Sequence, residues 1–218
     1  MKRIGRRASS KVVLAIAVAV AATALLAPSA SARLVPPSDS PFGRTYAGWD
    51  VVWGTAQARR ALASRNSLLA LRGDRCGFAW SQRVWLLPAS INGLITVNCR
   101  IPAGMYLVFP IAGVVEWGKS PEKMRQSVRS AFRAIRDVRL TVDGRDLGRG
   151  YVTRTPVYVT EVPPNNVFGW PAGSLSLMSK DYFAVLSPLA KGRHTVTAVG
   201  TFANPTTTLG MTYRLTVR

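Results

Sequence analysis

Apolar and polar residues alternate with a period of two along much of this chain. In the final stretch, Met211, Tyr213, Leu215 and Val217 point one way, and Thr212, Arg214, Thr216 and Arg218 the other. That spacing predicts a half-buried strand. The same reading gives strands at Arg83–Leu87, Leu94–Asn98, Arg139–Asp143, Tyr151–Arg154, Val157–Val162, Tyr182–Ser187 and Arg193–Thr201. Turn residues separate them, among them Asp143-Gly144, Pro163-Pro164-Asn165-Asn166 and Ala190-Lys191-Gly192. Met105–Phe109 is apolar at every position, which suits a strand buried on both faces, with Pro110 as its end or an edge. Short strands with frequent turns predict a mainly β fold, a β-sandwich or jelly roll.

Two segments switch to helical spacing. Trp49, Val52, Trp53 and Ala56 form one apolar stripe. Ser120-Pro121-Glu122 has the marks of a helix start: an N-cap, proline at the first position and an acid in the first turn. Met124, Val128, Ala131, Phe132 and Ile135 then make the inner face, with Arg125, Arg129, Arg133 and Arg136 down the outer one. Trp49, Trp53, Trp80 and Trp85 read as core.

The first 32 residues break the pattern. A basic start (Lys2, Arg3, Arg6, Arg7, Lys11) leads into a 15-residue apolar run, Val12–Leu26, and then Ala30-Ser31-Ala32. This is the layout of a signal peptide cleaved before Arg33, and the run is short for a bilayer span. Arg6-Arg7 hints weakly at twin-arginine export. Arg33–Pro41 is expected to be a flexible leader, and residues 42–218 a single domain.

Export changes how Cys76 and Cys99 are read. In an oxidising compartment an even pair predicts a structural disulfide. A nucleophilic cysteine wants a nearby histidine, and a metal site wants closely spaced ligands; neither pattern is present, and no metal or other cofactor is expected.

Charge adds a possible partner. The chain has 29 Lys and Arg against 10 Asp and Glu. Five of the 29 precede the cleavage point, so the mature chain keeps 24 and carries about +14. Such a surface attracts anionic envelope polymer or glycan, with no specific nucleic-acid motif. The arginine stripe is a candidate anion site, or else a solvated helix face. Trp117 and Trp170, beside Gly118 and Pro171, are candidates to stack on sugar rings, or else loop packing.

Catalytic signals are thin. A hydrolase acting on wall or polysaccharide would need two facing carboxylates, for which Glu116 and Asp181 are the candidates. His194 is the sole histidine, without a nucleophile elbow or triad context. P-loop and dinucleotide fingerprints are absent. A secreted toxin is a third reading, carried by basicity and export alone.

Six segments fall in a notable order: ArgValTrpLeuLeuProAlaSer (83–90), AsnCysArgIleProAlaGly (98–104), LeuValPhePro (107–110), ValAspGly (142–144), LeuSerProLeuAlaLysGlyArgHis (186–194) and ThrTyrArgLeuThrVal (212–217). Their order and wording resemble a group of uncharacterised exported bacterial proteins. That group has a Trp-rich helical start and segments like VWFLAG, CxxPAGxxLFFP and PLxxGxH. The chain departs at Leu87-Pro88, where the group has a small Ala-Gly. The resemblance implies export and a β-rich fold, and carries over no catalytic residue. Together these readings point to a secreted or wall-associated, non-catalytic binding protein.

Overall fold

The structure, a computed structural model, describes residues 32–59, 69–70, 76–166, 168–203 and 206–218. The expected signal peptide lies outside the described residues except for Ala32. The ordered elements are α1 (Tyr46–Ala58), β1 (Leu69–Ala70), β2 (Phe78–Ser81), β3 (Val84–Leu86), β4 (Ala89–Ser90), β5 (Leu94–Ile101), β6 (Tyr106–Trp117), α2 (Pro121–Phe132), β7 (Ile135–Val142), β8 (Arg145–Asp146), β9 (Tyr151–Arg154), β10 (Tyr158–Val162), β11 (Gly173–Leu186), β12 (Gly192–Ala203) and β13 (Thr206–Val217).

The chain is mainly β, as its alternation predicts. One sheet runs β10-β11-β6-β3-β2, with β9 also on β11; the other runs β5-β13-β12-β7-β8. The sheets face each other across a shared core. Leu107, Phe109, Ala184 and Leu186 from the first meet Leu140, Val196, Tyr213 and Leu215 from the second. Helix α1 covers the opposite face of the first sheet, packing Trp49 and Trp53 on Val108, Phe183 and Val185. Helix α2 continues the sandwich side, where Met124 and Val128 meet Met178. The alternation of β11 therefore assigns sides. Met178, Lys180 and Tyr182 face the sandwich and α2; Leu177, Ser179 and Asp181 face α1.

Cys76 and Cys99 form a disulfide, with Cα atoms 5.3 Å apart. Cys99 is buried on β5, and the bond ties that edge to the segment entering β2, in the other sheet. The turn after β5 is held by the Ala103 N–H donating to the Arg218 carbonyl, 2.9 Å. The chain then crosses into β6.

Several expectations shift. Pro110 does not end its strand: β6 runs on to Trp117. The ladder to β11 skips a residue here, pairing Ala112 with Tyr182 and Pro110 with Phe183. On its other edge β6 has already lost β3, whose pairing stops at Val108. A bulge beside an open edge is where a strand tolerates proline. Helix α2 stops at Phe132 because Ile135 pairs with Phe202 and starts β7, so Ile135 and Arg136 are strand residues. The start of the expected leader is docked: the Val35 N–H donates to the Val185 carbonyl at 2.8 Å, and Val35 is buried. Trp80 is exposed, lying edge-on to Trp49 at 5.5 Å.

Candidate functional site

The face of β11 turned toward α2 gathers positive charge at its middle. Lys180 and Arg154 are direct cross-strand partners on β11 and β9. Like charges so placed repel. Arg129 of α2 and Arg133 at its C-terminus add to the repulsion. The Lys180 ammonium is held below its usual range, by partial burial first and then by Arg129, Arg154 and Arg133. Lys180 rests over the Phe132 ring at 4.4 Å, and Phe132 stacks on Tyr182 at 4.9 Å. Arg149 lies over the other partner, Tyr182, at 5.7 Å. Among the described residues, Arg129, Arg133, Arg154 and Lys180 form no ion pair.

The arginine stripe is thus split. Arg129 and Arg133 join the cluster, whereas Arg125 is paired with Glu122 at 2.9 Å. Arg136 turns onto the backbone, donating to the Arg133 and Ile135 carbonyls. Helical spacing alone exposes Arg129 and Arg133. Lys180 and Arg154 were missed because only strand pairing brings them there.

The two tryptophans are elsewhere. Trp117 and Trp170 touch at 6.1 Å and pack on Val162 and Leu177, on the α1 face. Both are half-buried, and Phe168 stacks on Trp170 at 4.1 Å. They share no surface with the cationic cluster.

Glu116 and Asp181 do not meet. Glu116 pairs in register with Met178, and Asp181 with Gly113, three residues further along each strand, so the two carboxyls leave opposite faces of the sheet. Glu116 is engaged by Lys119 at 2.6 Å and by the Ser127 hydroxyl at 2.5 Å. Its slight burial pushes the carboxyl up, but these partners outweigh it and hold the pKa below the usual value. His194 is a strut. Its Nδ1 lies 2.7 Å from Asp143 Oδ2, and its Nε2 lies 2.9 Å from the Ala190 carbonyl. Asp143 Oδ1 also accepts from the Thr195 N–H at 2.7 Å. The Asp143-Gly144 turn is thereby pinned to β12.

Asp181 has a different partner: Asp50. Helix α1 buries Tyr46, Trp49, Asp50, Trp53 and Gln57, so the inward stripe takes in two polar residues. Asp50 and Asp181 are 3% and 8% exposed. Ser179 donates its hydroxyl to Asp50 Oδ2 at 3.0 Å, and its own N–H to Thr155 Oγ1 at 2.9 Å. Burial pushes Asp50 up to about 7, against the pull of Asp181 and Ser179. Asp181 is pushed well above the carboxylate range by burial and then by Asp50. With no lysine or arginine paired to them among the described residues, the two buried carboxyls hold a proton between them near neutral pH. Tyr158 stands nearby with its phenol also pushed up, by burial and then by both acids.

Glycines make the room. A Cβ on Gly113 would sit 1.6 Å from Asp181 Oδ1, and one on Gly54 would sit 2.3 Å from the Tyr158 hydroxyl. The acids floor a cavity of about 150 Å³ along the β6 edge that β3 leaves open, walled by Trp53, Ile111, Phe168, Trp170 and Leu177. In the sequence, the one clue to Asp50 is an acid spaced between Trp49 and Trp53 on a buried stripe. Among the described residues, no group of three or more His, Cys, Asp or Glu could hold a metal, and no helix is long and apolar enough to cross a membrane.

Comparison with known proteins finds no matching family model, curated protein or solved structure.

Proposed function

We propose that this is an exported, non-catalytic binding protein whose cationic α2 face takes an anionic cell-envelope polymer or glycan. The observation that carries the reading is the set Arg129, Arg133, Arg154 and Lys180. Two of these cations oppose each other directly across a ladder, and none has an acid partner among the described residues. A fold gains nothing from such repulsion, whereas a polyanion laid across it removes the repulsion and releases counterions. Arginine forks match sulfate and phosphate oxygens, and the Phe132–Tyr182 stack holds Lys180 in place above it. The signal-like N-terminus and the basic mature composition support the same reading. The glycosidase alternative loses its candidate pair, since Glu116 and Asp181 leave opposite faces of one sheet.

The test is binding of the mature protein to purified teichoic acid, a sulfated polysaccharide, a neutral glucan and DNA across a salt series. The reading expects one anionic class to be retained at about 0.15 M salt, where the Debye length is about 8 Å, and no binding to neutral glucan. Binding to every polyanion alike, lost together at that salt, would contradict it.

A further inference from the structure

The two acids of the cavity face α1, on the other side of the sheet from Lys180, while its lining continues round the β6 edge to Ala112 and Phe202. Asp181 Oδ2 is fully buried and has no hydrogen-bond partner. A buried acceptor left unpaired carries a desolvation cost. The carboxyl is nonetheless accommodated by design, because Gly113 opposite it leaves only a Cα where any other residue would collide. The Asp50 carboxyl, the Ser179 hydroxyl bonded to it and Tyr158 line the same cavity as Asp181, on the same side of the sheet. Among the described residues, no lysine or arginine forms an ion pair with either acid. The walls are mainly apolar, with the rings of Trp53, Phe168 and Trp170 among them and Gln57 and Ser90 as further polar residues, and the lining includes Ile91, which is exposed, so the cavity reaches the surface there.

We propose that this cavity is a binding site for a small primary ammonium carried on an apolar body, with the ammonium at the Asp50–Asp181 pair and the apolar body against Trp53, Phe168 and Trp170. The chemistry follows from the floor and the walls. An ammonium has three donors and a positive charge, and the floor offers acceptors and a net negative charge. A neutral hydroxyl would satisfy the orphan oxygen but leave the charge unpaired. A hard divalent cation wants six or more oxygens, more than this floor presents. The aromatic rings favour a cation at their faces as well as the apolar group. The size of the body is bounded by the cavity, whose roughly 150 Å³ is the volume that admits a benzene-sized guest.

Benzylammonium is the probe, with benzyl alcohol as its neutral isostere. Each is titrated calorimetrically into the mature protein at about pH 7.5, where the acid pair keeps a negative charge. The expected result is saturable one-to-one binding of benzylammonium, at least about tenfold tighter than benzyl alcohol. Asp181→Asn should weaken the ammonium by about tenfold or more and leave the alcohol within about twofold. Lys180→Ala, on the other face, should leave both unchanged, which separates this site from the polymer-binding reading. Absence of saturable benzylammonium binding up to about 10 mM, or equal affinity for amine and alcohol, would overturn the proposal. The amine–alcohol comparison needs no variant, so it decides the matter even if Asp181→Asn fails to fold.

Discussion

Asp50 and Asp181 are the residues whose chemistry departs furthest from an ordinary surface acid, and their signature is a pH dependence of stability. A carboxyl whose pKa is higher in the folded state holds more protons folded than unfolded. Its stabilising contribution is complete below the unfolded value, 3.8, and is lost as pH rises through the folded value, about 7 for Asp50. The groups facing the pair are Asp50 from α1, Asp181 and Ser179 from β11 and Tyr158 from β10, while β6 presents only Gly113. Asp143 and Glu116 act in the opposite sense, and only in acid, because their pKa values are lowered. Stability should therefore fall between about pH 4 and 7, by up to about 1.4 kcal/mol per pH unit for each proton retained on folding. Thermal melts of Asp50→Asn should show a shallower slope over that window; an unchanged slope would contradict the assignment. Gly113→Ala places a methyl group against the Asp181 carboxyl and should cost about 1–3 kcal/mol in urea unfolding. Combining it with Asp181→Ala should recover part of that loss, a coupling expected only if the two side chains collide. The sequence held one clue to Asp50, its place on the Trp49–Trp53 stripe, and none to its pairing with Asp181. Asp181 was singled out, but with Glu116 as its partner, because strand register is what decides which acid it meets.

Elements were legible in proportion to how differently their two faces are solvated. β13 alternates from Met211 onward because one face meets the core and the other water, and that part was readable, whereas Thr206–Gly210, which does not alternate, was not. β6 hid its length. Its residues are apolar on both faces, and Pro110 reads as either an end or an edge; it is an edge, at a bulge and already without β3, and the strand runs on. The end of α2 was equally hidden: Ile135 keeps helical spacing, yet its pairing with Phe202 draws the chain into β7. The disulfide was readable from compartment and count, but what it joins was not. It links β5 of one sheet to the approach to β2 of the other, closing a loop with a sequence separation of 23. Replacing both Cys76 and Cys99 by alanine should cost about 3 kcal/mol, read from denaturant midpoints of the oxidised and variant proteins. A loss below about 1 kcal/mol would mean that the two sheets need no covalent tie.

At the scale of the molecule, one strand divides two chemistries. The run Leu177-Met178-Ser179-Lys180-Asp181-Tyr182 sends its cation toward α2 and its acid toward α1. Net charge, legible in the composition, says only that anions are attracted. Where they would be held depends on the pairing of Lys180 with Arg154, which composition cannot reveal. The most direct measurement is the salt dependence of polymer affinity for Lys180→Ala/Arg129→Ala, set against the charge-matched pair Arg100→Ala/Arg214→Ala on the other sheet. If the α2 face is the binding site, the first pair should lower affinity about tenfold or more and flatten the slope of log affinity against log salt, and the second should do neither. Equal losses in the two pairs would show that net charge alone attracts the polymer and that the cationic face is no site.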